Sequence, residues 1–407
     1  MSKGHTVLKQ TDFKVLHLST SYAGGAGIAG LRLHRSLLAE GVDSHFLTLE
    51  NKGFHPKLNE AALNRSLFKK VACKLAALMS QKLFQATYFT IISAPSVSPS
   101  RLNTLGFDKN TVLHIHNWFN LLSTHQMRGL LEQGYRFVVT LHDQRFFTGG
   151  CHYSLNCDEF VRACGTCVLL PAPSLNIFIR RNHRRLHDLV AQYNKQIVFL
   201  APSNWIFSEA KRSSILKKSK ILYMPNLHSE FENEFYHLET TRHAESTSGI
   251  TIGVASMDSS SPLKGGDFIP KIVDVLRREN QIFRVKYLSQ YSQTEEGYLN
   301  FWKEIDCLLV LSRADNSPNV IHEAKIANVP VIGTRTGGIP ELLNESFDFI
   351  IENDDNLVGN VALAISSLSN NPIQLPQDIN LRYRFAESRG HIEGFLKAYS
   401  EISGLPQ

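Results

Sequence analysis

The chain has 407 residues, enough for two domains of ordinary size with buried cores. Hydrophobic residues make up 43% and charged residues 20%, which excludes a disordered or fibrous protein. The formal charge of +6 suits anionic substrates or a membrane surface and does not by itself indicate nucleic acid. Residues 1–10 lack an apolar leader core and no apolar run is long enough to span a bilayer, so a cytoplasmic protein is expected.

Residues 14–19 (KVLHLS) read as a first strand, followed by a turn with Gly24, Gly25 and Gly27, a helix to about residue 40 and a strand at 44–49. A glycine-rich strand-to-helix turn lets a ligand approach the backbone, although a purely structural turn has the same composition. Residues 56–89 set Arg65, Lys69, Lys70, Lys74 and Lys82 among apolar residues that recur at helical spacing, including Leu67, Val71, Leu75, Leu78 and Leu83. Such a helix either packs on its own domain or lies on an anionic membrane.

Residues 111–116 (TVLHIH) and 137–141 (FVVTL) are further strands, the first leading into His116 and Asn117, the second into His142 and Asp143. Ligands of open α/β sheets sit beyond the carboxyl ends of strands, which makes these four polar groups candidates. Cys151, Cys157, Cys164 and Cys167 then cluster, the last pair as Cys-x-x-Cys. A closed structural zinc site is the leading reading; free or redox-labile thiols and disulfides are the others. Cys73 and Cys307 stand in apolar contexts and read as core. Residues 180–189 (RRNHRRLHDL) form a basic helical run, read as a solvated face.

Strands at 197–201 and 220–224 flank a helix, and a polar stretch at 239–249 reads as a loop. Residues 250–255 open a second sheet. Lys264-Gly265-Gly266 precedes a helix at 268–278, where a compact cation and flexible backbone N–H groups suit a phosphate. Residues 306–343 then read as strand, loop, helix and strand, a right-handed parallel crossover. Ser317 is expected to cap that helix and Pro318 to occupy its first position, with the dipole aimed at the loop. Asp315 and Glu323, eight positions apart, are expected to face one crevice.

The segment SRADNSPNVIHEAKIANVPVIGTRTGGIPELL resembles the donor site of the retaining, two-domain (GT-B) glycosyltransferases of the group-1 (family 4) type. That family's signature is two glutamates separated by seven residues, a small-residue strand and a Gly-Gly-Ile-Pro-Glu loop. Asp315 stands where the first glutamate would be and Glu323 is the second; Pro318, Asn319, Gly337, Gly338 and Glu341 fall in register. The resemblance implies an α/β fold of two facing Rossmann-like domains with parallel sheets and an inter-domain cleft. It places an acceptor domain at 1–200 with a Cys-rich insertion at 150–170, a donor domain at 201–385, and a terminal helix at 386–407 crossing back.

The implied activity is retaining transfer of a hexose-type sugar from a nucleotide-diphosphate sugar to a saccharide or lipid-linked saccharide, in bacterial surface polysaccharide synthesis. His142, Lys264, Asp315 and Glu323 are the implied catalytic residues. Gly24, Gly25, Gly27, Lys264, Asn316, Ser317, Pro318, Asn319, Glu323, Gly337 and Gly338 would hold the donor, and His116, Asn117 and Asp143 would face the acceptor. No catalytic divalent metal and no nucleic acid are implied; peripheral contact with the anionic inner face of the cytoplasmic membrane is. Two departures stand out. The family's arginine after the 250–255 strand is replaced by Ser256 or Met257, and Asp315 is a methylene short. Both leave room for a second reading, a non-catalytic carbohydrate-binding or scaffold subunit.

Overall fold

The computed structural model describes residues 13–49, 56–84, 89, 91–228, 249–255, 261–291, 294–370 and 377–404. Ser256 and Met257 lie outside the described residues, as does most of the expected loop at 239–249. The chain divides into two compact units, one running to Leu227 and resuming at Gly390, the other covering His228–Arg389.

The first unit is built on a seven-stranded parallel sheet. Its strands are β1 (Lys14–Ser19), β2 (Asp43–Thr48), β3 (Glu60–Ala62), β4 (Thr111–Asn117), β5 (Arg136–Thr140), β6 (Ile197–Ala201) and β7 (Ile221–Tyr223), ordered β3-β2-β1-β4-β5-β6-β7. The central strands are buried on both faces, Leu16 and Leu18 of β1 lying in one core and Val15 in another, as parallel sheets require. Chain order reverses between β1 and β4, and such a switch point opens a crevice at the strands' carboxyl ends. β7 pairs with β6 from Phe199↔Ile221 to Ala201↔Tyr223, so the first unit extends past residue 201, where the sequence placed a boundary. The last helix, Gln377–Ser403, brings Ile392, Phe395, Ala398, Tyr399 and Ile402 into a core with Val15, Leu33 and Leu37.

The second unit holds β8 (Ile250–Val254), β9 (Phe283–Tyr287), β10 (Cys307–Val310), β11 (Val331–Thr334) and β12 (Phe349–Ile351), all parallel, in the order β12-β11-β10-β8-β9. Its switch point lies between β8 and β10. Cys307 is fully buried there, as expected of a core thiol.

Helix Leu67–Phe84 departs from an ordinary surface helix. It buries only small or terminal residues, Cys73, Ala76, Ser80 and Phe84. Leu67, Phe68, Val71, Leu75, Leu78, Met79 and Leu83 are exposed, Phe68 at 82%. Phe84 meets Phe178 edge-on at 5.7 Å, and Ile177 and Phe178 of helix Asn176–Tyr193 are exposed beside it. No described helix is long and apolar enough to cross a membrane.

Candidate active site

In the second unit the site grows from the loop after β10. Lys264 Nζ donates to Asp315 Oδ2 at 2.5 Å, and the backbone N–H of Asn316 donates to Asp315 Oδ1 at 2.9 Å. Ser312 Oγ reaches the same carboxylate at 3.5 Å. Two glycines permit this convergence. Gly265 has φ +75°, and a Cβ there would sit 2.0 Å from the Leu311 carbonyl oxygen. Gly337 has φ +56°, and a Cβ would sit 1.9 Å from the Asp315 carbonyl oxygen, which accepts from Gly338 N–H at 3.0 Å. Both need left-handed backbone and close approach, which glycine alone supplies without strain.

The helix after this loop is Asn319–Ile326, one residue later than expected. Pro318 is the residue before the helix, with extended ψ of 117°, and no side chain caps the helix. Ser317 is therefore not the cap: its Oγ is buried and unpartnered among the described residues. The correction has a physical reason, since Pro318 fixes φ but leaves ψ free to stay extended. Glu323 is almost fully buried, and Tyr298 Oη donates to its Oε2 at 2.6 Å. Asn316 and Asn319 are buried beside it in sequence. Sequence reasoning missed Tyr298, which stands on the separate helix Glu295–Glu304.

In the first unit, helix Gly24–Ala39 follows β1 and likewise has no side-chain cap. By contrast Ser98, Ser123, Ser203 and Thr294 each cap a helix with a side-chain oxygen. The three glycines of the turn differ. Gly24 needs its φ of +77°, while a Cβ on Gly27 would lie 2.4 Å from the Ser21 carbonyl oxygen. Gly25 faces open space, with nothing within 4 Å of a Cβ. Asn117 braces the turn: its Oδ1 accepts from Thr20 Oγ1 at 3.2 Å and from Phe119 N–H at 3.2 Å.

Behind the turn lies an array of buried histidines. His17 on β1 pairs in register with His114 on β4, and His116 follows on the same face. His17 Nδ1 lies 3.0 Å from His116 Nε2, and His116 Nδ1 lies 3.1 Å from His142 Nε2. His114 is held by Tyr399 Oη and Thr140 Oγ1, both at 2.7 Å. Burial, then mutual repulsion, lowers His17, His114 and His116 well below the usual imidazole range. Burial takes His142 to about 4. His142 is only partly buried, just past the carboxyl end of β5, whereas His116 is buried. The single histidine of KVLHLS and the alternating pair in TVLHIH were the readable signal for this array.

Asp143 contacts Arg145, whose Nε donates to both carboxylate oxygens at 3.0 and 2.8 Å. Burial pushes this carboxyl up, but the charges of Arg145 and His152 and the Arg145 hydrogen bonds outweigh it and hold it below the usual range. The Arg145 guanidinium in turn lies over the Trp118 ring at 5.1 Å.

Cys151, Cys157, Cys164 and Cys167 line one small cavity with Thr148, and none is disulfide-bonded. Burial pushes the Cys151 thiol up to about 12, and raises Cys164 and Cys167 as well. Gly149 N–H donates to Cys164 Sγ at 3.1 Å. The donor set suits zinc in ligand type and number. Among the described residues, however, the cluster of ligand atoms converging within 4.8 Å of one another is His17, His114 and His116.

No family model matches the chain. It is 23% identical over 349 residues to the putative colanic acid biosynthesis glycosyl transferase WcaC of Escherichia coli K12, across 79% of this chain and 83% of that protein. The glycosyltransferase from Rickettsia africae ESF-5 has a similar structure, with a TM-score of 0.54 and 12% identity over 97% of this chain and 99% of that one. Anabaena HepE, solved in complex with UDP, matches with a TM-score of 0.53 and 12% identity over 95% of this chain and 99% of that one.

Proposed function

We infer that this chain, a glycosyltransferase of the group-1 type with the GT-B fold, moves a hexose-type sugar from a nucleotide-diphosphate sugar to a saccharide or lipid-linked saccharide, retaining the anomeric configuration. The observation that carries the reading is the meeting of Lys264 and Asp315 at the uncapped start of helix Asn319–Ile326. A diphosphate fits there: a cation, the backbone N–H end of helix Asn319–Ile326 and the helix dipole all favour negative charge. These groups would stabilise the leaving diphosphate, usually the largest electrostatic contribution in such chemistry. Binding it would draw Lys264 away from Asp315 and release that carboxylate to position the sugar.

Glu323, oriented by Tyr298, would accept from the ribose hydroxyls. Gly337 and Gly338 keep the loop backbone close to Asp315. His142 would hydrogen-bond the reacting sugar, and the turn of Gly24, Gly25 and Gly27 would let the donor approach closely. Lys264 and the N–H groups meet the donor charge, so the proposal needs no divalent cation. The UDP bound to Anabaena HepE supports a nucleotide donor, and the WcaC name supports a saccharide pathway. Nucleotide release from a donor panel, compared with Lys264→Ala, tests the assignment.

Two further proposals concern the first unit. Cys151, Cys157, Cys164 and Cys167 would hold a structural zinc that ties their segment together; a bound cation would oppose the burial that raises Cys151, Cys164 and Cys167. The exposed apolar face of helix Leu67–Phe84, set among Lys69, Lys70, Lys74 and Lys82, would rest on an anionic bilayer. Basic side chains near such a surface contribute about 1 kcal/mol each. Arg180, Arg181, Arg184 and Arg185 on the neighbouring helix extend the charge, in keeping with a lipid-linked acceptor on the inner face of the cytoplasmic membrane.

A further inference from the structure

The three-histidine line from His17 through His116 to His142 permits two proton arrangements when all rings are neutral. In the first, His17 Nδ1–H donates to His116 Nε2, His116 Nδ1–H donates to His142 Nε2, and His142 keeps its proton on Nδ1. In the second, every proton moves to the other nitrogen, the bonds reverse, and His17 must carry its proton on Nε2. That atom is buried and has no hydrogen-bond partner among the described residues. A buried N–H with no acceptor is rare and costly, while a bare acceptor lone pair is tolerated more often. The orphaned nitrogen therefore selects the first arrangement.

We propose that His17 and His116 are positioning residues that fix His142 as the Nδ1–H tautomer, so that it presents a hydrogen-bond donor at the carboxyl edge of the first sheet. The purpose rests on the reading above, in which His142 meets a sugar hydroxyl; the proton arrangement does not. No described residue bonds His142 Nδ1, so the donor is available to a ligand. The array also brings His17, His114 and His116 within metal-ligand reach of one another. Both nitrogens of His114 and both of His116 are already engaged, however, so a metal would have to break bonds to Tyr399, Thr140 or His142. Gly30 closes the ring into place: a Cβ there would lie 2.8 Å from the His116 imidazole.

Long-range proton–nitrogen NMR correlation on the full chain with nitrogen-15-labelled histidine, at pH 7.5 and without substrate, reads the tautomer directly. His142 is assigned by the signals lost in His142→Gln. The expected wild-type pattern is a protonated Nδ1 and an unprotonated Nε2 as the major form. His17→Phe leaves His116 Nε2 facing an apolar ring, where the same preference keeps the His116 proton on Nδ1, so His142 should stay Nδ1–H; His116→Asp, whose carboxylate can only accept, should shift His142 to a protonated Nε2. His116→Gln, whose amide oxygen can accept from His17 and whose amide N–H can donate to His142, should keep the wild-type pattern. An Nε2–H His142 in the wild type overturns the proposal even if the variants do not fold. So do an unchanged His142 in folded His116→Asp, and zinc titration that shifts His17, His114 and His116 together. Sugar transfer separates the two readings: the expected tautomer with full activity in His142→Gln would remove the catalytic role and leave the relay standing.

Discussion

Lys264 and Asp315, 51 positions apart in the chain, meet at 2.5 Å beside the start of helix Asn319–Ile326. The contact exists because Gly265 and Gly337 let two loops approach the end of β10 more closely than any side chain allows. If Asp315 positions the sugar once a diphosphate has claimed Lys264, Asp315→Ala should lower kcat about 100-fold while donor binding changes less. Steady-state kinetics decides; an unchanged kcat removes Asp315 from the machinery.

Gly337→Ala tests the architecture beneath that pair. Alanine must adopt φ +56° and clears the Asp315 carbonyl only if the backbone moves. Left-handed strain and displacement together should cost about 2–4 kcal/mol, seen as a lower melting temperature together with lost activity. A variant as stable as the parent would mean that the turn is not held as described.

The histidine array makes a pH prediction. Burial, the main cause, holds His34 and His142 at about 4 and His17, His114 and His116 well below their ordinary value. Between pH 6.5 and 4 the unfolded chain binds protons that the folded one refuses. The stabilisation is thus complete above about pH 6.5 and is lost as pH falls toward 4, at up to about 1.4 kcal/mol per pH unit for each histidine. Urea midpoints should drop steeply between pH 7 and 5; a level profile would contradict this burial.

Zinc predicts about one metal per chain in protein purified without chelator, with a lower melting temperature after removal. Cys164→Ser should lose the metal. Metal-free protein of unchanged stability, prepared in zinc-supplemented medium, would leave free thiols as the reading.

The exposed helix predicts flotation with anionic vesicles and not with zwitterionic ones, weakened by salt. Phe68→Glu with Leu75→Glu should abolish flotation without lowering stability, because neither side chain is buried. Equal recovery with and without anionic lipid would reject membrane contact.

Much of this was legible in the chain. Apolar runs such as CLLV and the crossover helix after Asp315 announced the parallel sheets, since period and turn chemistry are local. The helix start was off by one because Pro318 suits either side of it. Short β3 was missed, as Glu60–Ala62 has no strand pattern and is ordered by pairing with Phe46–Thr48. The partners of Glu323 and His116 could not be read, because Tyr298 and His17 come from distant elements. Residues 67–83 gave the right amphipathic period, but only the structure reveals that its larger apolar side chains face outward.

In the proposed function, Lys264 and its loop bind the diphosphate of a nucleotide sugar while the sugar is transferred. Nucleotide release from UDP-, GDP-, ADP- and CMP-sugars, read by mass spectrometry with a saccharide acceptor panel, tests it most directly. Release is expected from one donor, reduced about 100-fold or more in Lys264→Ala although that variant stays folded. Release at the same rate in the variant would contradict it, and donor binding without release across the panel would favour a subunit that holds sugars and transfers none.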